Sequence, residues 1–218
     1  MVAESRLRLH LITPSDAHRR EDYLAGAEAA LEGGVSAVQL RLKGVPTKEV
    51  VAFGRELAPV VKAAGALFVV NDRFDLARVL DADAVHLGAD DLSVATVRVL
   101  APNLVIGATV RTPEGAREAL DAGADYLGVG AVFASPSKDS VPVIGLHGLG
   151  RVVEVARGCP VVAIGGIGEA NAKLASLTGA SGVAAIGALA RGAPAQMRQA
   201  AGKLRAAVAA GLREAACE

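Results

Sequence analysis

The stretch ADAVHLG at residues 82–88 recurs, with changes, as ADYLGVG at residues 124–130. Two further segments, at residues 34–40 and 180–187, are looser versions of the same pattern. Each is a short apolar run that follows a helix-like stretch and ends in glycine or in polar residues. Recurrent units of this kind predict strands that alternate with helices and form a parallel sheet.

Four more apolar runs lie between these segments and bring the predicted strands to eight. They are Leu7–Ile12, Ala66–Val70, Leu104–Ala108 and Val161–Ile164. Helical periodicity marks the intervening stretches, among them Thr47–Ala64, Leu92–Leu100, Pro113–Ala122 and Glu169–Thr178. Eight βα units in 218 residues predict a single α/β domain over residues 1–218, a (β/α)8 TIM barrel. A doubly wound open sheet would carry a glycine fingerprint after its first strand, and Thr13-Pro14-Ser15-Asp16 stands there instead.

Charge and composition argue against several classes of partner. Lys+Arg and Asp+Glu are balanced at 23 each, so the net charge gives no sign of nucleic acid or of an anionic membrane as a partner. No apolar run reaches the ~18 residues of a membrane span, and the N-terminal residues do not resemble a signal peptide. The two cysteines form no CxxC pair, so we expect a reduced, cytoplasmic protein. The sequence leaves open whether the chain forms a homo-oligomer.

Polar residues occupy every second position where the second strand ends, at Gln39, Arg41 and Lys43. Alternate residues of a strand point to one face, and the C-terminal ends of barrel strands form the active sites of this fold. Two cations in a barrel mouth need an anion beside them. That anion is either a bound phosphate or a carboxylate of the protein, and the pattern alone does not choose between them.

Carboxylates follow the next two strands. Asn71 and Asp72 end strand three, and Asp90 and Asp91 follow strand four. Carboxylates from adjacent strands can share Mg2+, which prefers oxygen ligands and bridges to phosphate oxygens. The alternative is that Asp90 or Asp91 caps the next helix. His86, at the end of strand four, is interpreted as a hydrogen-bonded structural histidine rather than a base.

A loop rich in serine and proline follows strand six, over Ser135–His147. Its residues Ser135, Ser137 and Lys138 supply two hydroxyls and an ammonium group, which are natural phosphate ligands. The alternative is an ordinary polar surface loop.

Glycines end strands seven and eight, at Gly165-Gly166 and at Ile186-Gly187. Glycine lets backbone N–H groups approach a phosphate, and phosphate sites after these two strands recur in TIM barrels. The sequence therefore predicts two anion sites. One combines cations with a metal held by carboxylates and suits a diphosphate, and the other uses backbone and hydroxyl groups and suits a monophosphate.

Taken in order, these motifs resemble those of the thiamine-phosphate synthase family. The resemblance runs from about Leu7 to about Gly192. It rests on Gln39-x-Arg41-x-Lys43, Asn71-Asp72, His86-Leu87-Gly88 with Asp91, Gly107 to Thr112, Ser135-x-Ser137-Lys138, Ile164-Gly165-Gly166-Ile167 and Ile186-Gly187. It implies that hydroxymethylpyrimidine diphosphate is joined to hydroxyethylthiazole phosphate, or to its carboxylate, by a Mg2+-assisted dissociative displacement that releases diphosphate.

The resemblance also implies roles for individual residues. Catalytic roles fall to Arg41, Thr109 and Lys138. The diphosphate would be held by Arg41, Lys43, Asn71, Thr109 and Lys138, and the pyrimidine by Gln39. The thiazole phosphate would be held by Ser135, Ser137, Gly166, Ile186 and Gly187. Asp72 and Asp91 would bind Mg2+.

This chain departs from the family pattern at Arg111, where histidine is frequent, at Ala89, where glutamine is common, and at His10, where tyrosine is common. Two alternatives remain beside the synthase. A thiazole tautomerase-like paralogue would tend to keep a catalytic histidine at the position of Arg111 and to lose the metal carboxylates. A non-catalytic barrel that binds a phosphorylated metabolite would tolerate the loss of those carboxylates.

Overall fold

The strands close into a parallel barrel. The structure is a computed structural model that describes residues 2–134, 142–156 and 158–217. Its strands are β1 Leu9–Ile12, β2 Ala37–Leu40, β3 Leu67–Asn71, β4 Ala84–Leu87, β5 Val105–Val110, β6 Tyr126–Val129, β7 Val161–Ile164 and β8 Gly182–Ala185. They pair in chain order, and β8 pairs with β1. The predicted (β/α)8 barrel is confirmed.

Helices alternate with these strands and surround them. They are α1 Tyr23–Glu32, α2 Thr47–Ala63, α3 Phe74–Val79, α4 Val94–Leu100, α5 Pro113–Asp121, α6 Gly145–Val155, α7 Ala172–Leu177 and α8 Pro194–Ala215. Short 3-10 helices cover Glu4–Leu7 and Ala17–Arg19. Within the described ranges, none of the helices combines the length and the apolar composition that crossing a bilayer requires.

Several boundaries differ from the sequence prediction by a few residues, and two of these differences have a clear structural cause. The first strand begins at Leu9 rather than at Leu7, because Glu4–Leu7 forms a 3-10 turn whose Leu7 is buried in the barrel interior. The loop expected to run to His147 ends earlier, because α6 begins at Gly145. There the N–H of Ile144 donates to the carbonyl of Ala131 at 2.9 Å and ties the start of the helix to the end of β6.

Alternation along the strands divides the core into two layers. On β2, Val38 and Leu40 belong to the layer between barrel and helices, where Leu40 lies beside Gly54 of α2. Ala37 belongs to the barrel interior together with Leu67 and Tyr126. All residues of β2 are buried, as expected for parallel strands that are covered on both faces.

Two rings fill much of the barrel interior, and neighbouring glycines make room for them. A Cβ added at Gly107 of β5 would lie 2.5 Å from Cε1 of the Tyr126 ring. A Cβ added at Gly128 of β6 would lie 2.6 Å from Cε1 of His86. Both approaches are far inside van der Waals contact, so these positions require glycine once the rings are in place.

We expect Gly107→Ala to lower the free energy of unfolding by about 1–3 kcal/mol, the usual cost of overpacking a filled core. The reason is overlap of the added methyl group with the Tyr126 ring. Urea denaturation measures the change. Gly150→Ala in α6 is the matched control, because nothing lies within 4 Å of its added Cβ and alanine favours a helix over glycine by about 1 kcal/mol. Equal stability of the two variants would contradict this packing.

Candidate active site

A cavity of about 530 Å3 lies at the C-terminal ends of the strands. It contains all ten described residues that the sequence assigned to substrate or metal: Gln39, Arg41, Lys43, Asn71, Asp72, Asp91, Thr109, Gly166, Ile186 and Gly187. Ser135, Ser137 and Lys138 lie outside the described residues, and their placement stays a prediction. The cavity therefore brings together strand ends that are far apart in the sequence.

The cations after β2 enter the cavity from a loop. β2 ends at Leu40, so Arg41 and Lys43 lie beyond the strand, yet the expected alternation continues. Both line the cavity, while Leu42 between them packs against the outer core. The N–H of Arg41 donates to Oγ1 of Thr13 at 2.8 Å, which fixes the backbone where the strand ends.

The carboxylate of Asp72 is held by two neighbours. Lys43 forms an ion pair with its Oδ2, and Nδ2 of Asn71 donates to its Oδ1 at 2.7 Å. The backbone of Asp72 has φ 62°, a left-handed conformation that aspartate adopts more readily than most residues. Its N–H donates to the carbonyl of His86 at 2.8 Å, so the chain turns sharply after β3 and stays close to the end of β4.

Asp91 lies beside Asp72 rather than at the start of a helix. Its Oδ2 accepts a hydrogen bond from the N–H of Gly88 at 2.8 Å. Ser93 caps α4 instead, since its Oγ accepts from the N–H of Thr96 at 3.1 Å. The capping alternative is therefore wrong for Asp91. A Cβ added at Gly88 would lie 2.8 Å from Oδ2 of Asp91 and 3.8 Å from Oδ1 of Asp72, so glycine leaves space for both carboxylates.

The ionisation of Asp91 is disfavoured at this position. Burial, and then hydrogen bonding with the Asp72 carboxyl, raise the pKa of Asp91. A divalent cation would relieve this repulsion. No three His, Cys, Asp or Glu side chains come together as a metal site among the described residues. The pair still fits Mg2+, which is commonly held by one or two carboxylates together with water and substrate phosphates.

The opposite side of the cavity is built from backbone. Gly165 and Gly166 have φ 96° and 64°, which glycine adopts without strain. A Cβ added at Gly166 would lie 2.5 Å from the carbonyl oxygen of Ala134. Asn171 fixes this turn, because its Nδ2 donates to the carbonyl of Gly166 at 2.9 Å and its Oδ1 accepts from the N–H of Gly168 at 2.8 Å. Successive N–H groups in such a turn form a concavity that suits an anion.

Comparison with known proteins agrees with this geometry. The family described as thiamine monophosphate synthase matches residues 9–189. The chain belongs to this family. The thiamine-phosphate synthase of Pyrococcus horikoshii is 44% identical over 189 residues, which cover 87% of this chain and 89% of that protein. That of Roseiflexus sp. is 46% identical over 163 residues, 74% of this chain and 69% of that protein.

A solved structure extends the likeness to three dimensions. The thiamine phosphate pyrophosphorylase from Pyrococcus furiosus superposes with a TM-score of 0.84 and 40% identity, covering 96% of this chain and 98% of that one. A mandelate oxidase, at 22% identity and a TM-score of 0.65, shares the fold alone. The likeness to the first of these therefore goes beyond the barrel fold.

Of the three positions where the chain departs from its family pattern, two lie at the cavity and one lies inside the barrel. Ala89 and Arg111 line the cavity. Nε of Arg111 is buried and has no hydrogen-bond partner among the described residues. His10 is buried inside the barrel, with its ring 5.9 Å from that of Tyr126. Burial lowers the pKa of His10 to about 3, so it stays neutral.

A chain of hydrogen bonds runs from the barrel interior to the cavity. The hydroxyl of Tyr126 lies 3.1 Å from Nδ1 of His86, and Nε2 of His86 lies 3.0 Å from Oγ1 of Thr109. Tyr126 is fully buried, and this burial raises its pKa. His86 is thus hydrogen-bonded, as expected, and it positions a hydroxyl that the family resemblance assigns to the diphosphate.

Sequence reasoning missed one charged residue of the cavity. Arg191 lies in the loop between β8 and α8 and lines the cavity. The only signal in the sequence was a cation shortly after Ile186-Gly187, and nothing there showed that it would face inward.

We expect Asp91→Asn to raise the melting temperature of the metal-free protein at neutral pH. The folded state raises the pKa of Asp91, so it binds this proton more tightly than the unfolded chain does, and stability falls as pH rises through that range. The amide of the substituted asparagine still accepts the hydrogen bond from Gly88, and it carries no charge, so stability is not lost as pH rises. The gain should shrink at acidic pH, where Asp91 is protonated in both states.

Asp75→Asn is the control, and we expect it to lower the melting temperature at neutral pH. Hydrogen bonding with Arg73 lowers the pKa of Asp75, so its carboxylate stabilises the fold at neutral pH and this stabilisation is lost as pH falls. Thermal melts across pH distinguish the two variants. A lower melting temperature for Asp91→Asn than for the unsubstituted protein at neutral pH would contradict the carboxylate pairing.

Proposed function

We propose that this chain forms thiamine phosphate from hydroxymethylpyrimidine diphosphate and hydroxyethylthiazole phosphate, or its carboxylate, and releases diphosphate. The observation that carries the proposal is one cavity with two chemically different sides. Cations and paired carboxylates follow β2 to β4, and glycine backbone follows β7 and β8. Family membership and 44% identity to a thiamine-phosphate synthase support the same reaction.

The diphosphate would occupy the cationic side. Arg41, Lys43, Asn71 and Thr109 line it, and Lys138 would join them from the loop. Asp72 and Asp91 would hold Mg2+, which when bound supplies positive charge to the leaving diphosphate. Because Lys43 already contacts Asp72, cation and carboxylate are placed to share the charges of a diphosphate and its metal.

With hydroxyethylthiazole phosphate as substrate, the reaction consists of one bond broken and one bond formed, whereas its carboxylate must also lose CO2 by cleavage of a C–C bond. The C–O bond to the diphosphate breaks, and its electron pair leaves with the diphosphate. The aminopyrimidine stabilises the resulting carbocation, and the lone pair of the thiazole nitrogen then forms the new C–N bond. No protein nucleophile is required, so the residues act by holding both substrates in line and by stabilising the charge of the leaving group.

Gln39 is suited to contact the pyrimidine, because it lies at the floor of the cavity and is only 4% exposed. The thiazole phosphate would bind to the backbone at Gly166, Ile186 and Gly187, with Ser135 and Ser137 as further ligands. Residues 1–218 would form one catalytic barrel that acts on small phosphorylated substrates in the cytoplasm.

The two alternatives receive less support. A tautomerase-like paralogue would keep a catalytic histidine where this chain has Arg111. A barrel that only binds a phosphorylated metabolite would have no need for Asp72 and Asp91 to lie beside each other around Gly88.

In the presence of Mg2+, purified protein should convert the two substrates into thiamine phosphate and one equivalent of diphosphate. EDTA should stop the reaction. Chromatography of thiamine phosphate and a coupled assay for diphosphate measure both products. Absence of thiamine phosphate under these conditions would overturn the proposed function.

Asp72→Ala should reduce kcat ~100-fold or more, because it removes a charge that acts on the leaving group. Binding of the thiazole phosphate, measured by calorimetry, should change little, since that ligand lies on the other side of the cavity. Asp75→Ala is the control, because Asp75 forms an exposed ion pair with Arg73 away from the cavity lining. Unchanged turnover of Asp72→Ala would show that Asp72 does not hold the metal.

A further inference from the structure

The monophosphate side of the cavity has one cation among the described residues. The other described lining residues contributed by the ends of β6, β7 and β8 are glycines, alanines and isoleucines. A phosphate monoester carries about −1.5 to −2 charges at neutral pH. Backbone N–H groups bear only partial charges, so a buried phosphate on this side needs a countercharge. Arg191 is the described residue that can supply it.

The guanidinium of Arg191 lies close to Gly187. A Cβ added at Gly187 would lie 3.9 Å from Nε and 4.0 Å from Cζ of Arg191. The side chain of Arg191 therefore lies beside the turn that follows β8. In that turn the N–H groups of Gly187 and Ala188 donate to no other described residue. The guanidinium of Arg191 and two available N–H groups thus lie in the same part of the cavity.

The backbone that carries Arg191 is held from three directions. Leu189 and Ala190 are fully buried. The N–H of Ala190 donates to the carbonyl of Ile186 at 2.8 Å, and Nη1 of Arg20 donates to the carbonyl of Ala190 at 2.7 Å. The base of the Arg191 side chain is fixed by these contacts, which limits the entropy that its ordering by a ligand would cost.

The guanidinium of Arg191 itself is unpaired. No acidic side chain of the described residues lies within ion-pair distance of it, whereas Lys43 is paired with Asp72 and Arg198 with Glu32. Its planar donors match two oxygens of a phosphate at once. Arg191 is exposed to the solvent of the cavity mouth, and an unpaired arginine beside available N–H groups is suited to bind an anion.

We propose that Arg191 binds the phosphate group of the thiazole substrate and supplies the countercharge that the glycine turns lack. This inference rests on the proposed function, because it takes the thiazole phosphate as the ligand of this side. It adds a specificity-determining residue to a site otherwise described as backbone and hydroxyl groups. Different cations would then bind the two ligands: Arg191 the monophosphate, and Arg41 and Lys43 the diphosphate.

Steady-state kinetics of Arg191→Gln test the inference. The KM for hydroxyethylthiazole phosphate should rise about 10- to 100-fold, the range expected when a hydrogen-bonded charge is removed. The KM for the pyrimidine diphosphate and kcat should remain close to the unsubstituted values. A rise in the KM for the pyrimidine diphosphate alone would place Arg191 at the diphosphate and overturn the inference.

Arg198→Gln is the matched control on the same part of the chain. Arg198 is exposed on α8, pairs with Glu32 and does not line the cavity, so its loss should leave both KM values unchanged. Arg191→Lys should give an intermediate KM, because it keeps the charge and loses the planar fork.

Calorimetric titration separates binding from catalysis and from folding. Arg191→Gln should weaken hydroxyethylthiazole phosphate about 10- to 100-fold and leave the unphosphorylated alcohol unaffected. Equal weakening of both ligands, or of neither, would overturn the inference, and so would an effect confined to the carboxylated thiazole. If the unsubstituted protein binds the thiazole phosphate but makes no product, the proposed function fails while the titration still decides the role of Arg191.

Discussion

Closure of the barrel depends on the parallel pairing of β1 with β8, in which Leu9 lies opposite Val183 and Leu11 opposite Ala185. A side chain at Gly182 would collide with the backbone of Leu7 and Arg8, so glycine permits the two strands to approach. Once the sheet is closed, the C-terminal ends of all eight strands surround one opening. The cavity follows from this geometry, because closure brings the ends of β2 to β4 and those of β6 to β8 around the same opening.

Charge in the cavity is arranged for a ligand rather than for internal balance. Asp72 and Asp91 are held beside each other although burial and the Asp72 carboxyl raise the pKa of Asp91. Arg41, Arg111 and Arg191 line the same space without an ion pair among the described residues. Such an arrangement costs stability in the absence of ligand, and a bound diphosphate with its metal would satisfy both signs of charge. We infer that the fold holds these groups in place before the substrates bind, which limits the reorganisation during the reaction.

One side of the cavity is formed mainly by charged side chains and the other mainly by backbone, and this difference has a physical reason. A diphosphate that leaves during the reaction needs countercharge that is strongest as the C–O bond breaks, and cations with a metal supply it. A phosphate that stays attached to its substrate needs a fixed position, which backbone turns at Gly166 and Gly187 can provide with little loss of entropy. The hydrogen-bonded chain from Tyr126 through His86 to Thr109 extends this positioning into the barrel interior.

The sequence by itself determined the barrel, its repeating units and most of the candidate residues. Burial on both faces leaves apolar runs, period-two alternation shows which residues face inward, and polar residues at strand ends stand out against them. These are local patterns, and the positions of Gln39, Arg41 and Asn71 could be predicted from them, whereas Thr109 was assigned through the family resemblance. The ends of strands and helices were less certain, since the turn at Glu4–Leu7 and the start of α6 at Gly145 are held by contacts with distant residues.

Only the tertiary structure decided which partner each polar group meets. From the sequence, Asp91 could either cap a helix or bind a metal, and in the structure it lies against Gly88 and beside Asp72. Lys43 could have met a substrate or a carboxylate, and it contacts Asp72. The place of Arg191 in the cavity could not be read from the sequence, because it depends on tertiary contacts such as the hydrogen bond from Arg20 to the carbonyl of Ala190. Apart from the bond between Asp91 and Gly88, these contacts join residues of neighbouring strand ends or of distant parts of the chain, so strand pairing and packing set their distances rather than local sequence.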